Sequence, residues 1–183
     1  MKPIAVDARP LSADRDAVPY SALIPPNGEA GIIATFGDIQ KYIAADGTLN
    51  PQWQVDMLGY AGLPYPLMLS FDHALKITHF RCHNLLVEVF EQTFREIVEQ
   101  GFGEYLCSFG GCFTFRPQRR GSKLSAHSWG IAIDLNPETN AQGTSGDMNP
   151  GIISIFQRNG FEWGGTWIGK HRDPMHFQYC SGY

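Results

Sequence analysis

The sequence contains no apolar run near the roughly 20 residues that a membrane-spanning helix needs, so no transmembrane segment is expected. It also has no basic stripe. Its densest positive group, Arg119, Arg120 and Lys123, is three charges of the kind a loop solvates, and a net charge of −4 argues against a nucleic-acid partner. Cysteine is scarce, and four in 183 residues are too few for a disulfide framework. The N-terminus, Met1-Lys2-Pro3-Ile4-Ala5-Val6-Asp7, meets an acid before an apolar stretch can form. No secretory signal is therefore expected, and any route out of a cell must be indirect. What is present suits a globular fold: 43% hydrophobic and 13% aromatic residues exclude a disordered chain. The length fits one domain with a sizeable core.

Residues 1–30, rich in Pro, Ala, Asp and Gly, read as an extended N-terminal arm, and 31–183 as a single domain. Asp38 is placed to cap a short helix through Ile39, Tyr42 and Ile43 that ends by Gly47. Residues 50–80 lack sustained periodicity, with short strands expected near Met68–Ser70 and Ile77–Phe80. A long amphipathic helix is predicted over Cys82–Gln100. Its apolar stripe is Leu86, Val89, Phe90, Phe94, Ile97 and Val98, and Gly101 closes it. Glu104–Phe109 and Cys112–Arg116 read as a hairpin about Gly110-Gly111. In that register Cys107 and Cys112 would be diagonal neighbours about 7–8 Å apart, which favours free, packed thiols. A bridge would need another register or a bulge, and a Cys-x4-Cys metal site lacks a second ligand pair. Residues 137–147 are polar and loop-like. Asn149 and Pro150 then open a second helix, stopped by Gly160. Met175, Phe177 and Tyr179 alternate with His176 and Gln178 as a strand. Helices and strands segregate, so the expected class is α+β with helices packed on an antiparallel sheet.

One stretch carries chemistry. In Ser125-Ala-His127-Ser-Trp-Gly130-Ile-Ala132-Ile-Asp134-Leu-Asn136, Ile131, Ile133 and Leu135 share one face of a strand, and Gly130, Ala132 and Asp134 the other. Catalytic zinc takes three ligands from His, Asp and Glu and keeps a position open. His127 and Asp134 supply two, and His176 on the terminal strand is the natural third. Asp173, three residues earlier across Pro174, can serve as general base. Arg116 is the first choice for a cation that stabilises charge on the carbonyl oxygen; Arg119 and Arg120 read as solvated. Bland readings compete at each position. His73, His79, His83 and His171 are taken as surface or packing residues, Asp134 could cap a turn before Pro137, and Asp173-Pro174 could simply start a turn.

Ser125-x-His127-x-x-Gly130-x-Ala132-x-Asp134 with Asp173-x-x-His176 resembles the signature of the zinc peptidases that include D-Ala-D-Ala carboxypeptidases and L-alanyl-D-glutamate endopeptidases. The broader group holds the lysostaphin-type peptidases and the hedgehog signalling domain. Asp rather than Glu at position 173 is similar to the endopeptidases of phage endolysins rather than to the D,D-dipeptidases of vancomycin resistance. The resemblance extends loosely from Phe36-Gly37 to Gln178 and includes Gly164-x-x-Trp167. It implies a hedgehog/DD-peptidase-like fold, one zinc ion on His127, Asp134 and His176, and Asp173 as base. It also implies that Arg116 holds substrate or oxyanion, and that Ser125 and Trp167 bind substrate, Ser125 also being able to orient a ligand histidine. The implied activity is a peptidase of peptidoglycan stem peptides, cutting at L-alanyl-D-glutamate. Alternatives are a D-alanyl-D-alanine carboxypeptidase and a non-catalytic zinc-stabilised binding module. A cell-wall enzyme without a signal peptide would be phage- or prophage-encoded and released through a holin.

Overall fold

The computed structural model describes residues 23–118 and 123–183. Its centre is a six-stranded sheet in the order β2-β1-β3-β4-β6-β5, formed by β1 (Leu58–Leu69), β2 (Asp72–His83), β3 (Ser108–Gly111), β4 (Ala132–Leu135), β5 (Glu162–Trp163) and β6 (His176–Gln178). The helices are α1 (Gly28–Phe36), α2 (Gln52–Met57), α3 (Val87–Glu99) and α4 (Pro150–Arg158). The class is α+β, as expected. All pairings are antiparallel except β1 with β3, which run parallel because β2 and α3 intervene and return the chain in the original direction.

The longest strands fall in the stretch whose periodicity is weakest. β1 and β2 form a hairpin closed by Ser70-Phe71, with Leu69 opposite Asp72. Its ladder breaks between Gly62 and Leu67, where Pro64 and Pro66 have no N–H to donate. That interruption hides the alternation a strand normally shows. The expected Cys82–Gln100 helix is shorter than its periodicity suggests. Cys82 and His83 pair with Gly59 and Leu58, and the His83 Nδ1 accepts the Leu85 N–H and caps a 3-10 turn, so α3 begins at Val87. Val89, Phe90, Phe94 and Ile97 are buried on α3, whereas Val98 is 42% exposed and lies off the stripe. This face meets Phe80 of β2 (5.2 Å to Phe90) and, through Phe156 of α4 (6.0 Å to Phe94), the stacked Phe156–Phe177 pair at 4.2 Å. The Asn149 side chain accepts the Gly151 N–H with Pro150 in the first turn, as the sequence predicted for α4.

Four expectations are corrected. No hairpin forms about Gly110-Gly111. Both glycines lie in β3, which pairs with β1 on one side and β4 on the other. A Cβ on Gly110 would stand 3.0 Å from the Asp134 Cβ and 3.2 Å from its carbonyl oxygen, so the glycine serves close strand approach rather than a turn. The four cysteines are free, but Cys107 is exposed and only Cys82, Cys112 and Cys180 are packed. The expected arm lies mostly outside the described residues. Its visible end bridges Asn27 to Ser181 and enters α1 at Gly28, a helix the sequence reading did not include. Asp38 does cap a 3-10 turn, which stops at Tyr42 instead of reaching Gly47. Among the described residues, no helix is long and apolar enough to cross a membrane.

Candidate metal centre

His127 sits on a 3-10 turn, Ala126–Trp129, whose ends are built from the sequence. The Ser125 Oγ accepts the His127 backbone N–H at 3.4 Å. Gly130 closes the turn in the left-handed region (φ 69°), where a side chain is disfavoured. Trp129 is buried and donates its indole N–H to the Gly37 carbonyl at 3.0 Å. Residues 112–118 run alongside: the Thr114 N–H reaches the His127 carbonyl at 3.0 Å, and the Ser128 Oγ accepts from the Arg116 N–H at 3.1 Å. The backbone under His127 is thus held from three sides. After the turn, β4 carries Asp134 to a position directly opposite His176 on β6. Cross-strand partners put their side chains on one face, so the carboxylate and the imidazole meet beside His127.

The His127 Nε2, Asp134 Oδ1 and His176 Nδ1 converge. Separations are 3.2 Å from His127 to Asp134, 3.0 Å from His176 to Asp134, and 3.2 Å between the two rings. The other ring nitrogens are already engaged. The His127 Nδ1–H donates to the Cys112 carbonyl at 2.7 Å, and the His176 Nε2–H to the Gln178 Oε1 at 3.1 Å. With those protons placed, two neutral imidazoles and a carboxylate turn three lone pairs on one point and offer no proton to share. Such a set repels itself unless a cation fills it. A tetrahedral zinc about 2.0–2.1 Å from each ligand would leave the ligand atoms roughly 3.3 Å apart, close to the observed spacing. The group can hold a metal ion.

Without a metal, protons take the place of the cation: the carboxylate favours charged rings beside it. Burial alone would raise the Asp134 carboxyl, but the charge of His127 and the bonds to both histidines hold it well below the usual carboxylate range. Burial would lower His176, yet the Asp134 hydrogen bond and charge, with a further contribution from Asp173, leave it raised.

The site opens into a cavity of about 300 Å³ that Arg116, Ser125, Asp134, Trp167, Asp173 and His176 line, while His127 is buried behind it against Asp134 and His176. The neighbouring Arg119 and Arg120 lie outside the described residues. Trp167 stands 5.3 Å from the His176 ring, its indole N–H held by Glu162 at 2.5 Å. The Asp173 backbone is pinned by its N–H to the Gly164 carbonyl (2.9 Å) and by its own carbonyl to the His176 N–H (3.0 Å).

Residues 119–179 match the family model described as D-alanyl-D-alanine carboxypeptidase. This is a third of the chain, and it includes His127, Asp134, Asp173 and His176. The match supports a peptidase of this carboxypeptidase group. No curated protein matches the chain.

Among the remaining histidines, His83 is buried against the Phe36 carbonyl and is structural, whereas His171 is exposed, as expected, and also lines the cavity. Sequence reasoning missed the two groups that orient the rings. Cys112 acts through a backbone carbonyl, which no side-chain pattern reveals. Gln178 was visible as the residue two positions after His176 on one strand face, and that spacing was the available signal. Ser125, expected to orient a ligand histidine, bonds its backbone instead of its ring.

Proposed function

We propose that the protein is a zinc-dependent peptidase acting on peptidoglycan stem peptides, as an endopeptidase at L-alanyl-D-glutamate. The observation that carries the metal-dependent part is the convergence of the His127 Nε2, Asp134 Oδ1 and His176 Nδ1 with their remaining ring protons committed elsewhere. Zinc bound there would lower the pKa of water to about 7 and polarise the scissile carbonyl. Asp173, on the same cavity and fixed by backbone bonds on both sides, takes the proton from the attacking water and delivers it to the leaving amine. Arg116 supplies positive charge towards the carbonyl oxygen as it becomes an oxyanion. Ser125 and Trp167 line the substrate's path, Trp167 presenting a flat wall beside His176.

The choice of bond rests on Asp, rather than Glu, in Asp173-x-x-His176. The description of the matched family favours a second reading, D-alanyl-D-alanine carboxypeptidase. Zinc content and mass spectrometry of digested muropeptides test both. Cleavage between L-Ala and D-Glu with one zinc per chain is expected. Release of free D-Ala with the L-Ala–D-Glu bond intact would move the assignment to the carboxypeptidase, and absence of any cleavage by the zinc-loaded protein would leave a binding module. Delivery through a holin is part of the proposal, tested by host lysis that requires holin co-expression.

A further inference from the structure

We infer that Gln178 is a positioning residue that decides which nitrogen of His176 is offered to the metal. The inference rests on the metal-dependent function proposed above.

A neutral imidazole carries one N–H and has two places to put it. Asp134 stands 3.0 Å from the His176 Nδ1, and a bond from an Nδ1–H to that carboxylate would be charge-assisted and strong. It would also occupy two ligand atoms at once, closing the site. The alternative needs an acceptor at Nε2, and the structure provides one. Gln178 follows His176 by two residues on β6, is 2% exposed, and places its Oε1 3.1 Å from the Nε2. The amide orientation is fixed by its other end, which donates towards the Cys180 carbonyl at 3.5 Å. The Nε2–H is thereby satisfied in a buried setting, where an unsatisfied donor is costly, and the Nδ1 lone pair is left facing His127 and Asp134.

The neutrality of the acceptor has its own explanation. Gln178 lies directly opposite Glu162 on β5, and Glu162 is committed to the Trp167 indole. A carboxylate at position 178 would set two like charges across one strand pair, which is destabilising. An amide orients the ring without that repulsion.

The test uses the full chain, with Gln178→Met as a shape-matched variant lacking the acceptor and Gln178→Glu as one retaining it. Nitrogen-15 spectra of the imidazoles report the tautomer, and competition with a chromophoric chelator reports zinc affinity. Expected are a His176 Nε2–H with Nδ1 coordinated in the wild type, and a 10–100-fold weaker zinc affinity in Gln178→Met, the loss typical of removing a ligand's orienting partner. Gln178→Glu should retain the wild-type tautomer. A folded Gln178→Met variant with wild-type zinc affinity would overturn the inference, as would coordination of His176 through Nε2. If Gln178→Met fails to fold, the wild-type spectra alone decide. In metal-free protein, at a pH where the ring is neutral, the same spectra decide the tautomer. Failure of the wild type to take up zinc would then count against the functional reading separately.

Discussion

Replacing Gly130 by alanine should do more damage than its small volume suggests. A Cβ at this position would lie 2.9 Å from the His83 backbone nitrogen and 3.1 Å from the Cys82 carbonyl carbon. Both atoms belong to the end of β2, which is tied to Gly130 itself by the His83 N–H to Gly130 carbonyl bond at 2.9 Å. Neither can swing aside as a side-chain tip would. The left-handed backbone adds a penalty of about 1–2 kcal/mol for any L-residue, partly offset by about 0.4–1 kcal/mol from the stiffer unfolded chain. Pushing rigid backbone apart adds about 1–3 kcal/mol, so Gly130→Ala should cost about 1–5 kcal/mol in all. Gly47 provides the control. It also has positive φ (82°), but nothing lies within 4 Å of a Cβ there, so Gly47→Ala carries the conformational part alone, about 1 kcal/mol or less. Urea unfolding in excess chelator measures both. Because Gly130 closes the turn bearing His127, zinc affinity should also fall at least about tenfold, ligand placement being needed to about 0.5 Å. Equal destabilisation by the two substitutions, with unchanged zinc affinity, would refute the reasoning.

Burial pushes the His83 imidazole down to about 4 from 6.5, against the Phe36 carbonyl bond that favours the charged ring. The unfolded chain therefore takes up the proton first. This contribution is present above pH 6.5 and is lost as pH falls through about 4, amounting to roughly 3 kcal/mol. The difference between wild-type and His83→Gln unfolding curves from pH 7.5 to 4 should show it, and parallel curves would count against it. Gly164→Ala would bring a Cβ within 2.7 Å of the Asp173 carbonyl oxygen, so kcat should fall at least about tenfold while zinc affinity changes little; the reverse pattern would contradict Asp173 as the base. Thiol titration of the native protein should find Cys107 reactive, with Cys82, Cys112 and Cys180 reacting only after denaturation, since burial raises the Cys82 and Cys180 thiols to about 12. Prompt reaction of a second thiol in the native state would argue against this packing. Phe156→Ala, removing the ring stacked on Phe177 at 4.2 Å, should cost about 3–5 kcal/mol by calorimetry or urea.

The sequence by itself determined the elements whose signals are local. The apolar stripe of α3, the Asn149-Pro150 start of α4, the Asp38 cap and the alternation through His176 were all legible because each depends on residues within one or two turns of one another. It also singled out the residues that the fold brings together: two histidines and an aspartate able to hold a metal ion, with a second aspartate on the same cavity. The tertiary structure decided what depends on distant segments. The β1–β2 hairpin was hidden by Pro64 and Pro66, and Gly110-Gly111 mimicked a turn while serving close approach to Asp134. Above all, the register Asp134 opposite His176, the Cys112 carbonyl and the Gln178 amide fix where the two ring protons go. Asp134 meets His176 across 42 residues of chain and the Cys112 carbonyl meets His127 across 15, and residue identity alone holds no record of either approach. The sequence named the residues; cross-strand register and two acceptors aimed them.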